Sequence, residues 1–109
     1  MITSLCIYRV KPGSEEAFER LLARHWPTLY RVGLGANVPS TIYRGAEAEN
    51  QPIFVELLHW HDASGPDTAH EFPDVMAVWE PMGKLCEDRG GRPSMEFPIV
   101  EPVAIAFER

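Results

Sequence analysis

The chain has 109 residues, which is enough for one domain and too few for two. Hydrophobic residues make up 45% of it and charged residues 24%, both ordinary for a globular protein, and no apolar run approaches the roughly 20 residues of a membrane span. Ten Lys and Arg stand against 16 Asp and Glu, for a formal charge of −6; because the basic residues are scattered, the sequence argues against nucleic acid as a partner.

The N-terminal residues predict a cytoplasmic protein. Met1 to Val10 contain no basic leader followed by a long apolar stretch and are instead typical of a strand. The two cysteines, Cys6 and Cys86, lie far apart and form no CxxC pair, so we expect them to be buried, reduced thiols.

The first half of the chain predicts a strand, a helix and a second strand. Residues 2–10 are expected to form a strand that ends at residues 11–13, since proline removes a donor there and glycine permits a turn. Ser14 is the expected cap of the helix, and Pro27 is expected to kink or interrupt it. The second strand is predicted around residues 41–44.

The second half predicts a strand, a helix and a closing strand. Residues 53–61 form the most apolar segment and are expected to pair with the preceding strand as a hairpin. Pro66 suits a first helical position, and Pro73 can restart a helix. A fourth strand is predicted at residues 94–100, and residues 103–109 could form an extra one.

The order β-α-β-β-α-β predicts one ferredoxin-like α+β domain over residues 1–109, an antiparallel sheet with two helices on one face. A period of two separates two sets on the third strand: Phe54, Glu56, Leu58 and Trp60 on one side, and Val55, Leu57, His59 and His61 on the other. We expect the Trp60 side to be the open face. A second copy of the chain would cover it, giving a homodimer around a sheet-lined cavity.

These features together resemble the dimeric α/β-barrel superfamily, and within it the antibiotic-biosynthesis-monooxygenase-like domains, over residues 1–102. The matching features in chain order are Lys11-Pro12-Gly13 after the opening strand, the apolar strand ending at Trp60, His70 ten residues later, Pro73, and the closing strand from Met95 to Val100. The segment from residue 79 to residue 98 is similar to a bacterial subgroup of the same superfamily.

The resemblance implies a cavity in which a tryptophan near the end of the third strand lines the wall, and Trp60 matches that position. Several such enzymes oxidise polycyclic phenols without metal or flavin, so no cofactor is expected. They and the haem-degrading branch use an asparagine on a strand. This sequence departs from that pattern, because Asn37 and Asn50 both fall in predicted loops.

Two ionisable residues are the candidate catalytic groups. Glu56 stands among apolar neighbours, which would raise its pKa and suit it to act as a general acid or base; alternatively it forms an ion pair across the dimer interface, for instance with Arg44. His70 is expected at the mouth of the cavity, where a neutral imidazole could take a proton near pH 7. Its alternative role is a hydrogen bond at a helix end.

The candidate substrate-binding residues are Trp60, Phe54, Leu58, Tyr8 and Tyr43. The Trp60 ring could stack on a flat ligand or serve only as core packing. His59 and His61 form a His-x-His pair that would need a third ligand such as His25 to hold a metal, and we favour hydrogen-bonded imidazoles over a metal site.

Three functions follow from these residues. The first is a cofactor-independent, monooxygenase-like enzyme that acts on a small aromatic or polyketide-like molecule, with Trp60 stacking and His70 or Glu56 removing a proton. The second is a non-catalytic ligand-binding or structural homodimer. The third is a haem-binding or haem-degrading protein, which the missing strand asparagine disfavours.

Overall fold

The chain folds into one antiparallel sheet with its helices on a single face, as a computed structural model of residues 1–109 describes it. The elements are β1 (Ile2–Arg9), α1 (Glu15–Arg31), β2 (Thr41–Ala46), β3 (Pro52–Trp60), α2 (Gly65–Ala69), α3 (Pro73–Lys84), β4 (Met95–Glu96) and β5 (Ile99–Val100). The strand order β2-β3-β1-β4, with β5 also on β1, is that of a ferredoxin-like fold. The predicted fold class is confirmed.

The long central strands β1 and β3 pair over their whole lengths, from Ile2 opposite Trp60 to Arg9 opposite Ile53. The predicted hairpin of β2 and β3 is also present, with Thr41 opposite Leu57. Burial alternates strictly along β3, as a strand covered on one face requires. This alternation fixes which side chains the helices cover.

The helix-covered face of β3 carries the side chains that the sequence placed on the open face, namely Phe54, Glu56, Leu58 and Trp60. The ring of Phe54 lies 5.4 Å from that of Phe18 on α1, and Glu56 bonds to His25 on the same helix. Leu58 and Trp60 are buried on this face too. The predicted orientation of β3 is therefore wrong: a period of two separates two faces, but it does not say which one the helices cover.

Helix α1 runs without interruption through Pro27, contrary to expectation. Buried residues lie on both sides of the proline, at His25 and at Leu29, so packing on the sheet holds both halves in one helix. Pro27 has no N–H for the carbonyl of Ala23, and beside that gap the hydroxyl of Thr28 donates to the carbonyl of Arg24 at 2.6 Å. Tertiary contacts thus offset the local cost of proline.

The closing strand is split, and the extra strand is not formed. Phe97 and Pro98 separate β4 from β5, although the carbonyl of Pro98 still accepts from the amide of Leu5 at 2.8 Å. Residues 101–109 form neither helix nor strand, and all of them are exposed. None of the helices is both long enough and apolar enough to cross a membrane.

Candidate functional site

A cavity of about 590 Å³ lies inside the single chain, between the helix-covered face of the sheet and the elements that follow β3. The sheet contributes Ser4, Cys6, Tyr8, Leu58 and Trp60; α1 contributes His25; the α2–α3 region contributes Ala63, Pro66, Asp67, His70, Met76, Trp79, Glu80, Met82 and Gly83; and the C-terminal segment contributes Met95, Phe97 and Ile99. Its walls are mostly apolar, as in small-molecule sites. The sequence had placed the cavity between two copies instead.

A chain of hydrogen bonds runs along one wall of this cavity. The indole Nε1 of Trp79 donates to Nε2 of His25 at 2.8 Å. Nδ1 of His25 lies 2.9 Å from Oε1 of Glu56, and the hydroxyl of Tyr8 donates to the same oxygen at 2.7 Å. His25, Glu56 and Tyr8 are all at most 3% exposed, so these bonds form away from bulk water.

The bond from Trp79 fixes the protonation state of His25. Because an indole N–H can only donate, Nε2 of His25 must carry a lone pair. The remaining ring hydrogen is then on Nδ1 and is donated to the Glu56 carboxylate. His25 is therefore a neutral imidazole whose carboxylate partner fixes its tautomer and whose basic nitrogen is on the Trp79 side.

Glu56 is an ionised, fully buried acceptor. Burial by itself raises the pKa of this carboxyl, but hydrogen bonds from His25, Tyr8 and Ser40 outweigh burial and hold the pKa below its ordinary value. The expected rise in the pKa of Glu56 is thus wrong, because apolar strand neighbours do not reveal donors from a helix and from β1. Its partner is His25 rather than Arg44, which pairs with Glu19 on the exposed side of α1.

His70 lines the cavity within the chain, whereas the sequence placed it at the mouth of a cavity between two copies. It follows the last residue of α2 and is exposed, and its ring meets that of Trp79 edge to face at a centroid distance of 5.0 Å. No group of the chain forms a hydrogen bond with its ring, so only the edge-to-face contact with Trp79 orients it. Trp79 therefore stands between an exposed imidazole and the buried one of His25.

Trp60 forms part of the cavity wall and is anchored on both sides. Its indole N–H donates to the hydroxyl of Ser4 on β1 at 3.0 Å. The first residue of α2, Gly65, lies so close to the ring that a Cβ there would stand 2.6 Å from Cε3 of Trp60. A glycine is required at this position because the helix backbone packs directly on the indole.

Tyr8 and Leu58 also line the cavity, whereas Phe54 and Tyr43 do not. Phe54 is buried against Phe18 further along the sheet. Tyr43 on edge strand β2 is 59% exposed, opposite Val55 on the face without helices. Of the seven residues predicted for the site, four line the cavity and a fifth, Glu56, bonds to two residues that do.

The remaining histidines and cysteines do not group with His25 into a metal site. His59 is on the open face, where its Nδ1 lies 2.8 Å from the hydroxyl of Thr3, and His25 is on the opposite face. No three His, Cys, Asp or Glu side chains are grouped closely enough to hold a metal ion. Cys6 lines the cavity, but burial and the charge of Glu56 raise the pKa of its thiol to about 12.

Sequence reasoning missed His25 and Trp79 as members of the site. His25 follows Phe18 and Leu22 at helical spacing, which puts it on the buried face of α1. A histidine on an apolar helix face across from a strand glutamate was the available signal. The pairing itself could not be read, because the two residues are 31 positions apart.

No protein-family model matches the chain, and no curated protein resembles it in sequence. Several solved structures share its architecture. An antibiotic biosynthesis monooxygenase is 12% identical, with a TM-score of 0.67 over 95% of this chain and 100% of that one. A mutant of SnoaB, a cofactor-independent oxygenase from Streptomyces nogalater, is 17% identical, with a TM-score of 0.66 over 98% and 97%.

A NIPSNAP domain protein from Burkholderia xenovorans is 13% identical, with a TM-score of 0.58 over 99% of this chain and 100% of that one. At such identities the likeness is one of fold. The chain therefore has the fold of the antibiotic biosynthesis monooxygenase-like proteins, as the resemblance predicted.

Proposed function

We propose that this protein is an oxygenase-type enzyme that binds a flat, largely apolar molecule with an acidic C–H or phenolic O–H group in the cavity inside each chain. The observation that carries the proposal is that His25, in the cavity wall, is paired with the buried carboxylate of Glu56 behind it. A buried carboxylate that orients a neutral imidazole is an arrangement suited to general base catalysis. The fold supports it too, since one structural neighbour is a cofactor-independent oxygenase.

The first chemical step is the removal of a proton by Nε2 of His25. In the free protein this nitrogen accepts from Trp79, so the substrate's own acidic group replaces the indole N–H as its partner. As His25 becomes a cation, the Glu56 carboxylate stabilises it at the 2.9 Å contact. A second donor, Tyr8, keeps that carboxylate in place.

The carbanion then reacts with molecular oxygen. An activated CH2 group that loses one proton and combines with O2 becomes a hydroperoxide once a proton is returned. The hydroperoxide loses water to leave a carbonyl, so one CH2 and one O2 yield one C=O and one H2O. His25 supplies the returned proton, and the mostly apolar walls keep bulk water from the carbanion.

The remaining wall residues bind and admit the substrate. The indole of Trp60 offers a flat apolar surface held by Ser4 and Gly65. His70, the catalytic candidate from the sequence, is exposed at the mouth and lacks an orienting partner. We assign His70 to substrate entry rather than to proton abstraction.

A non-catalytic binding protein is the second candidate. It is favoured by the fact that Trp79, His25, Glu56 and Tyr8 already satisfy one another, as a purely structural network would. Both candidates share the pairing of two copies through the open sheet face, where Leu5, Ile7, Val55 and Leu57 are only partly buried.

Oxygen uptake with anthrone, a tricyclic ketone with an activated CH2, tests the proposal. Wild type should consume O2 and form the quinone, and His25→Gln should lower kcat at least about 100-fold. Quenching of Trp60 and Trp79 fluorescence reports binding, which His25→Gln should change less than about threefold. His59→Gln is the matched control, since His59 lies on the opposite face of the sheet.

The outcomes separate the two candidates. Uptake that survives His25→Gln would refute the assignment of the base. Quenching by anthrone and related phenols with no oxygen uptake by the wild type would favour the binding protein. His70→Gln should raise KM and leave kcat nearly unchanged.

A further inference from the structure

The cavity wall contains one buried hydroxyl whose hydrogen no group of the chain accepts, that of Ser4. Ser4 lies on β1, lines the cavity and is only 3% exposed. The indole N–H of Trp60 donates to its oxygen at 3.0 Å, and this is the one hydrogen bond of the hydroxyl within the chain. Because a hydroxyl can donate as well as accept, its hydrogen remains for a molecule that enters the cavity.

The other buried polar side chains of the sheet and of α1 in this wall have acceptors within the chain for their hydrogens. The hydroxyl of Tyr8 donates to Glu56 at 2.7 Å, and the Nδ1–H of His25 is donated to the same carboxylate. The thiol of Cys6, a weak donor, lies 4.0 Å from the backbone carbonyl of Ser4. The Ser4 hydroxyl is therefore the buried donor in this part of the wall that a ligand can use.

The Ser4 hydroxyl and the proposed base contact different parts of a bound molecule. Cys6, two residues after Ser4 on the same face of β1, lies opposite Glu56. Two residues of a strand cover ~7 Å, so the hydroxyl is offset by about that distance along the sheet from the carboxylate that orients His25. The indole N–H of Trp79, which the substrate displaces, lies beside His25 itself. A flat molecule that presents its acidic group to His25 thus presents a different atom to Ser4.

Removal of a proton from an activated CH2 group creates a negative charge that such a donor can stabilise. When His25 takes the proton, the electron pair of the C–H bond moves through the ring into the carbonyl, and the carbonyl oxygen becomes the oxyanion of an enolate. No group leaves, and the carbonyl is restored when the carbon combines with O2. A hydroxyl aimed at that oxygen binds the enolate more strongly than the ketone, because the charge develops there.

We propose that the Ser4 hydroxyl donates to the carbonyl oxygen of the substrate and stabilises its enolate, and that the substrate is a ring ketone whose CH2 lies across the ring from the carbonyl. This inference rests on the proposed function, since it takes His25 as the base. Of the two acidic groups that the proposed function allows, the arrangement favours the C–H group, because a phenol would place its charge at His25 and not at Ser4. Trp60 orients the hydroxyl by occupying its acceptor side.

Kinetics in a background without the indole N–H test this role and leave no donor unpaired. Trp60→Phe keeps a flat ring but has no N–H, so Ser4→Ala/Trp60→Phe removes the hydroxyl and orphans no buried group. With anthrone, kcat of the double variant should be at least about 10-fold below that of Trp60→Phe, since an oriented oxyanion donor contributes about 100-fold and this background loses part of the orientation. Thr3→Ala/Trp60→Phe is the matched control, because the Thr3 hydroxyl bonds to His59 on the open face.

Xanthone tests the carbonyl contact without turnover, because it has a ring oxygen in place of the CH2 group. The infrared stretching band of its isotope-labelled carbonyl should lie at lower frequency in Trp60→Phe than in Ser4→Ala/Trp60→Phe, because a hydrogen bond weakens the C=O bond. Loss of the hydroxyl should also raise the dissociation constant of xanthone at least about threefold in isothermal titration. A merely structural role of Ser4 would not move the carbonyl band.

The two experiments distinguish the failure of this proposal from the failure of the proposed function. If the wild type consumes no O2 with anthrone, the oxygenase is refuted, and the xanthone band then decides whether Ser4 binds a carbonyl. A band at the same position with and without the Ser4 hydroxyl would overturn the proposal, even with oxygen uptake intact. Equal kcat values for Trp60→Phe and Ser4→Ala/Trp60→Phe would overturn it as well.

Discussion

The buried carboxylate of Glu56 provides the sharpest test of the hydrogen-bond network, through the variants Glu56→Leu and Glu56→Gln. Leucine removes the acceptor of two buried donors, the Tyr8 hydroxyl and the Nδ1–H of His25. Each donor left unpaired costs about 1–3 kcal/mol, so the two together cost about 2–6 kcal/mol. Part of that is offset because a charge no longer has to be buried, and we expect a net loss of about 2–4 kcal/mol.

Glutamine keeps one oxygen for both donors and loses only the charge. Since hydrogen bonds to an ionised group are about twice as strong as neutral ones, we expect Glu56→Gln to cost about 1–2 kcal/mol. The matched controls are Glu71→Leu and Glu71→Gln, because Glu71 is exposed. These changes should stay within about 0.5 kcal/mol of wild type.

Urea unfolding, repeated over a range of pH, measures both effects. The pKa of Glu56 in the folded chain lies below its ordinary value of 4.5. Its stabilising contribution is therefore complete above about pH 4.5 and is lost as the pH falls through the lower, folded value. The Glu56→Gln variant should therefore lose less stability on acidification than wild type. Some loss should remain, because a second carboxyl, that of Glu47, also has a lowered pKa. Partial burial raises the pKa of Glu47, but Arg92, Arg89 and Arg9 outweigh that effect.

Two results would refute this reasoning. If Glu56→Leu costs less than about 1 kcal/mol, the carboxylate does not satisfy both donors. If Glu56→Gln and wild type lose stability equally on acidification, the ionised form of Glu56 is not the one that the fold favours.

Three further predictions concern the sheet, the cavity wall and the thiols. Leu57→Asp, on the open face, should shift sedimentation toward the monomer while the chain stays folded. Leu58→Asp, at a residue only 2% exposed, should unfold the chain. The opposite pattern would mean that the faces of β3 are assigned the wrong way round. Gly65→Ala should lower the melting temperature and weaken the quenching of Trp60 fluorescence by ligands, because its Cβ would lie 2.6 Å from the indole. Gly83→Ala is the control: no atom lies within 4 Å of its Cβ, so this change should be neutral or stabilise the fold by up to ~1 kcal/mol. Burial raises the pKa of both Cys6 and Cys86 to about 12, so a thiol reagent at neutral pH should label neither in the folded chain and both in urea; rapid labelling of the folded protein would contradict the burial of these thiols.

Much of the fold could be predicted because it rests on local patterns. The strand at residues 2–10, the hairpin partner at residues 53–61 and the helix after Pro73 follow from alternation, turn residues and helical spacing. Their order then leaves few topologies other than the ferredoxin-like one. The energetic cost of Pro27 inside a helix, however, did not interrupt α1, because packing on both sides of the proline outweighed that cost.

What the sequence determined by itself is the set of elements, the two faces of β3 and the candidates Tyr8, Leu58, Trp60 and His70. Only the tertiary structure decided which face the helices cover, because alternation is the same whichever face is buried. The same contact brings His25 from α1 to Glu56 on β3 and Trp79 from α3 to His25. Such a network depends on donors and acceptors far apart in the chain, and the lowered pKa of Glu56 exists only once folding has placed those donors around a carboxylate removed from water.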